Sequence, residues 1–129
     1  MKPGVYDLVI YCGSTMDAAA MSFTYAVGGV PVDMIGYTMR SKGAGPKGQV
    51  FHATTENGQI GMEPAAGRYW FNFSAARTAD MWINGLPLYS NGSHMLHDAG
   101  RWDIELVSPE GRVVRLLEGR LLLSREVTR

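Results

Sequence analysis

The last third of the chain, residues 101–129, constrains the fold most. Trp102, Ile104 and Leu106 alternate with Arg101, Asp103 and Glu105, the period-2 pattern of a strand with one buried and one wet face. Ser108-Pro109-Glu110-Gly111 comes next. Proline suits position i+1 of a type I turn because its fixed φ fits there, and the glycine supplies the positive φ of a bulged hairpin. Residues 113–118 then predict an antiparallel return, Gly119 a bulge or bend, and residues 121–124 a third strand of a β-meander. Arg125-Glu-Val-Thr-Arg129 reads as an ordered last strand or a short arm reaching a neighbour. A segment spent on turns and alternating core positions leaves no room for a catalytic centre, so function is to be sought on surfaces.

The rest of the chain repeats this grammar. Residues 6–11 predict a first strand, residues 21–26 resume the alternation with Met21, Phe23 and Tyr25 on one side, and Gly28-Gly29 before Val30-Pro31 marks a hairpin connection. A strand is expected to start at residues 37–40 and a loop to occupy 41–48. Short strands at 50–54 and 59–62 flank Glu56-Asn57-Gly58, a turn signal because Asn and Gly both tolerate positive φ. Residues 64–67 turn again, and Tyr69, Phe71 and Phe73 face one way along 68–74. Ser74 or Ser93 can each cap a short helix, and helical spacing occurs only at 75–81. Residues 82–100 carry two Asn-Gly pairs and a proline with no sustained period, and so predict a long loop, the first place to look for a binding surface. About eight short strands at roughly ten-residue spacing describe an all-β, antiparallel immunoglobulin-like sandwich with at most one short helix. The 129 residues suffice for one such domain, with 82–100 as an insertion.

Composition removes several classes of function. Twelve basic and twelve acidic residues are interspersed, which gives no footprint for nucleic acid or an anionic membrane. No apolar run approaches the ~18 residues of a membrane span, and the first residues lack the apolar stretch of a signal peptide. The single cysteine, Cys12, sits in an apolar run as a core residue. Most of the eight methionines are expected in the core too.

Four constellations suggest chemistry. Gly43-Ala-Gly-Pro-Lys-Gly48 matches the dinucleotide-binding G-x-G-x-x-G pattern, but no helical pattern follows and Pro46 lies within it, so it is read as a flexible loop between strands. His94, His97 and Asp98 have the spacing of a partial metal site without a second cluster, and the default is solvated loop residues or contacts to another chain. Asp103 and Glu105 share one strand face as paired carboxylates of a glycosidase do, yet alternation with Trp102 and Ile104 makes them a solvated face. Asn72-Phe-Ser and Asn91-Gly-Ser are glycosylation sequons by pattern alone. Neither a catalytic residue nor a cofactor is expected. Trp82, Leu86, Leu88, Tyr89, Met95 and Leu96 either cover the open end of the sandwich or anchor an interface.

Several motifs together resemble a known family: Tyr6-Asp-Leu-Val-Ile-Tyr11, Val32-Asp-Met-Ile-Gly-Tyr-Thr-Met-Arg40, Thr54-Thr-Glu-Asn-Gly-Gln-Ile60, Ala66-Gly-Arg-Tyr69, Ser74-Ala-Ala-Arg-Thr-Ala79, Gly100-Arg-Trp-Asp-Ile-Glu-Leu106, Arg115-Leu-Leu-Glu-Gly119 and Glu126-Val-Thr-Arg129. The order is similar to that of small tail-associated proteins of bacteriophages and prophages, in particular the immunoglobulin-like N-terminal domain of phage baseplate upper proteins. The family pattern passes quickly from the residues like 74–79 to the strand like 101–106, whereas about fifteen extra residues intervene here. The resemblance implies a non-enzymatic virion structural protein, a tail, baseplate or fibre-attachment adaptor in several symmetric copies, made and assembled in the cytoplasm of a bacterial host. Its expected partners are other virion proteins and copies of itself, and Trp82, Leu86, Tyr89, Met95 and His97 are the expected contacts. The alternatives are a capsid or neck decoration protein and a carbohydrate-binding module for host attachment.

Overall fold

A computed structural model describes residues 2–89 and 95–125 of the chain. It is an all-β sandwich with one short helix. The strands are β1 (Gly4–Val5), β2 (Leu8–Tyr11), β3 (Phe23–Thr24), β4 (Ala26–Val27), β5 (Val30–Pro31), β6 (Thr38–Gly45), β7 (Gly48–Thr54), β8 (Ile60–Glu63), β9 (Arg68–Phe71), β10 (Leu96–Val107) and β11 (Val113–Ser124). The helix α1 (Ala75–Asp80) lies between β9 and β10. The larger sheet has the order β1-β11-β10-β6-β7, with β2 also on β11; the second has the order β3-β9-β8, and β4 and β5 form a small hairpin.

The 101–107 alternation holds as read. Trp102, Ile104 and Leu106 are buried, and the turn closes with the Ser108 carbonyl accepting from the Gly111 N–H at 2.9 Å. The return after this turn is one strand rather than two. β11 runs unbroken for 12 residues, and the irregularities in its pairing with β10 lie at Ile104/Glu105, where Leu116 is the extra residue, and at Asp98/Gly100, where Ala99 is, so Gly119 is not a bulge. Gly119 instead makes room for the N-terminal segment. β1 and β2 both pair parallel with β11, on either side of a crossing where Tyr6 and Asp7 pass over Gly119. A Cβ there would collide with the Tyr6 carbonyl, which accepts the Trp102 indole N–H at 2.8 Å. These pairings make the larger sheet mixed, with parallel neighbours where the chain's first strands join its last.

The expected loop at 41–48 is mostly strand. Residues 41–45 belong to β6, and the glycines that argue for a loop serve packing: the place of a Gly43 side chain is filled by the Phe51 ring and a Leu121 methyl. The G-x-G-x-x-G stretch is thus the tip of a β-hairpin rather than a flexible connector. A bulge opposite Gly43 and Ala44 turns both Val50 and Phe51 inward, and Arg77 of α1 donates to the Val50 carbonyl at 3.1 Å. Ser74 caps the helix by accepting from the Arg77 N–H at 3.1 Å.

An aromatic layer joins the sheets. Phe51 lies 5.4 Å from both Phe71 and Phe73, and Trp102 lies 6.0 Å from Phe71 and 6.3 Å from Phe23. Such offset and edge contacts add to the area that these rings bury. Cys12, Met16, Met34, Met39 and Met81 join the same core. Burial pushes the Tyr69 phenol well above its ordinary range. No described helix is long and apolar enough to cross a membrane.

Candidate interaction surface

The expected loop at 82–100 is shorter and more ordered than its sequence suggests. β10 starts at Leu96, so His97 and Asp98 sit on a strand opposite Leu123 and Leu122. On the other side of β10, residues 87–89 run antiparallel to 96–98: Asp98 N–H donates to the Pro87 carbonyl and Tyr89 N–H to the Leu96 carbonyl, both at 2.8 Å. The strand therefore changes partner along its length. β6 flanks it from Arg101 to Val107, and residues 87–89 flank it before Ala99. Between them, at the register shift from Asp98 to Gly100, the ladder is interrupted, and the backbone of Ala44 and Gly45 packs directly against Ala99 and Gly100.

The five expected contact residues divide. Leu86 is 7% exposed and packs with the core while one side of it lines the crevice described below. Trp82 is half-buried against the core, its indole N–H donating to Asn84 Oδ1 at 3.2 Å, with the His97 ring edge-on at 4.8 Å. His97 Nδ1 is buried without a hydrogen-bond partner among the described residues. Tyr89 and Met95 are exposed, and Leu88 beside them is 56% exposed. Each aromatic of the pair Trp82 and Tyr89 carries a guanidinium: Arg125 stands 5.5 Å from the Trp82 ring centre and Arg120 stands 4.8 Å from that of Tyr89. Stacking of this kind holds a flat cation and a ring in one geometry. Arg120 also pairs with Asp98 at 3.1 Å.

Beside this cluster the partner change of β10 leaves a crevice of about 360 Å³, walled by Pro46, Leu86, Pro87 and Ala99 and bordered by Lys47, Arg101 and Arg120. The sequence offers no signal for it. Lys47, Asp98, Arg101 and Arg120 come from a hairpin tip and two long strands, and only the fold makes them neighbours.

The remaining constellations resolve structurally. Asp103 and Glu105 lie on the outer face of the larger sheet in a network with Arg40 and Arg115, with Arg40 2.8 Å from Glu105 and Arg115 3.5 Å from Asp103. Desolvation raises the Asp103 carboxyl above its ordinary value, more than the Arg115 charge lowers it. No cluster of three metal-ligating side chains occurs among the described residues. His94 and the Asn91 sequon lie outside the described residues, as does 126–129 of the expected terminal arm. Val27 and Val30, paired at the β4–β5 tip, and Ile35 farther along the chain are also exposed. Comparison with protein-family profiles and with curated proteins finds no match for the chain.

Proposed function

We propose that the protein is a non-enzymatic virion structural protein: an adaptor in a phage tail, baseplate or fibre-attachment assembly, present in several symmetric copies. One observation carries this reading. Leu88 and Tyr89 are 56% and 46% exposed on a hydrogen-bonded strand pair, Arg120 stacks on the Tyr89 ring, and Met95, 58% exposed, immediately precedes β10. Several apolar side chains left in water on and beside a paired strand segment suit a surface that a neighbour covers, and an aromatic beside an arginine is the composition typical of an interface centre. The motif resemblance to phage baseplate proteins supplies the kind of assembly, and the mixed charge of the outer sheet face suits a subunit that stays dispersed until it docks.

The test replaces Tyr89 with Ala and Leu88 and Met95 with Ser in one variant. The purified subunit should keep its urea midpoint, because none of the three is buried, yet be missing from particles purified from a complemented lysate. Normal incorporation of the variant would sink the reading. Binding of the isolated protein to host polysaccharide, lost with Tyr89, would replace it with the carbohydrate-binding alternative.

A further inference from the structure

The crevice at the partner change of β10 carries more positive charge than its own acid neutralises. Lys47, Arg101 and Arg120 border it, against the single carboxylate of Asp98. That carboxylate is already engaged, with Oδ2 on Arg120 at 3.1 Å and Oδ1 accepting from the Gly100 N–H at 2.9 Å. Among the described residues Lys47 and Arg101 form no ion pair. Arg120 is fixed from two sides, by Asp98 and by the Tyr89 ring, so part of its rotamer freedom is lost before any ligand arrives. The walls between these cations are apolar.

We propose that this crevice receives an acidic, extended segment of a partner protein, with an Asp or Glu carboxylate set among Lys47, Arg101 and Arg120 and its apolar flank against Pro46 and Leu86. The inference rests on the adaptor reading and names the chemistry of the partner. Charge complementarity selects the carboxylate: a guanidinium presents a fork of donors that matches it, and two cations with no ion pair among the described residues beside a small apolar cavity leave an anion as the group that lowers the energy of the site. Continuity selects a peptide over a small acid. Tyr89, which stacks on Arg120, adjoins exposed Leu88, so the apolar surface runs on past the crevice and suits a longer ligand. Alongside β10 itself the backbone of Ala44 and Gly45 packs closely on Ala99 and Gly100, so the segment lies across the crevice and does not pair with the strand.

The probes are the peptide acetyl-Ala-Glu-Leu-Glu-Ala-amide, the same peptide with both Glu replaced by Gln, and glucuronic acid, each titrated into the full-length 15N-labelled protein. The acidic peptide should shift the amides of Lys47, Gly100, Arg101 and Arg120 and saturate, and the Gln peptide should bind at least about ten-fold weaker, the loss of one charge-assisted hydrogen bond. The shifts should fade in about 0.5 M NaCl, where exposed charges are screened over a few ångströms. The exposed-residue variant K47E/R101E should keep the rest of the spectrum and lose the response. Equal binding of the Gln peptide, shifts confined to other residues, or glucuronic acid matching the peptide at these amides would each overturn the proposal. Particle incorporation is scored separately with Leu88, Tyr89 and Met95, so failure of the peptide arm and failure of the adaptor reading give different results.

Discussion

The two halves of β10 make opposite use of the same secondary structure. From Arg101 to Val107 the strand has a neighbour on each side, alternates strictly, and turns Trp102, Ile104 and Leu106 into the core. From Leu96 to Gly100 it carries an extra residue of its own, Ala99, and is flanked by the short 87–89 segment, with exposed Leu88, Tyr89 and Met95 around it. The first half exchanges water for core at every second position. The second borders exposed apolar side chains of the adjoining segments and arranges charge around a crevice. Stability and recognition are thus separated along one strand, so that a contact surface can vary without disturbing the core a few residues away.

The contrast breaks if the wrong half proves critical for folding. Trp102→Ala should have the largest effect, a loss of about 3–5 kcal/mol in urea unfolding, since it empties a fully packed site and leaves the Tyr6 carbonyl without its indole donor. Gly119→Ala, directly opposite, should cost about 1–3 kcal/mol, because its methyl meets a backbone carbonyl that cannot rotate away. Arg120→Ala lies at the boundary between the halves. Its ion pair is partly exposed, so a loss of no more than about 1 kcal/mol is expected in the same assay, accompanied by a change in Tyr89 fluorescence or aromatic NMR shifts.

Leu88→Ser should change stability by less than about 0.5 kcal/mol. A cost above about 2 kcal/mol would mean that this surface belongs to the fold, and the separation of the halves would fail. The least effect concerns pH. Because the Asp103 carboxyl is raised in the folded protein, the folded state holds its proton more tightly than the unfolded one. The resulting stability is present below the ordinary carboxylate value and is lost as pH rises through the folded one. Asp103→Asn should flatten that acid-side slope in melts between about pH 3 and 6, the range in which carboxylates titrate. An unchanged slope would assign it to other carboxylates.

Sequence pattern reaches the ordered half of β10 and little of the other. Period-2 alternation depends only on which face is buried, and one strand displays it without help. Turns at Asn57-Gly58 and Pro109 to Gly111, and the Ser74 cap, are legible for the same reason: the residues that require the conformation sit inside it. Residues 41–45 mislead because glycine signals a loop locally, whereas Gly43 is needed for the ring of Phe51, its partner across the hairpin. The parallel pairing of β1 and β2 with β11 leaves no local mark at all. Nor does the crevice, whose four charged residues acquire meaning only from the register that brings them together. Apolar character in 82–89 is plain in the sequence, but whether Leu86 or Leu88 is buried depends on how the segment meets β10.

The crossing of Tyr6 and Asp7 over Gly119 has a kinetic consequence. The Arg120 N–H donates to Asp7 Oδ1 across 113 positions of sequence, and β1 and β2 have their strand neighbour in β11. A contact of that span carries a large loop-closure entropy and slows folding. During synthesis the apolar strand Leu8–Tyr11 emerges early and must wait for its partners Leu121 to Ser124 before it can add to the sheet. Until then Leu8 and Ile10, both buried in the finished molecule, remain open to pairing with another chain. At high rates of synthesis, the yield of this protein should therefore be governed by how long its first strand stays without its last.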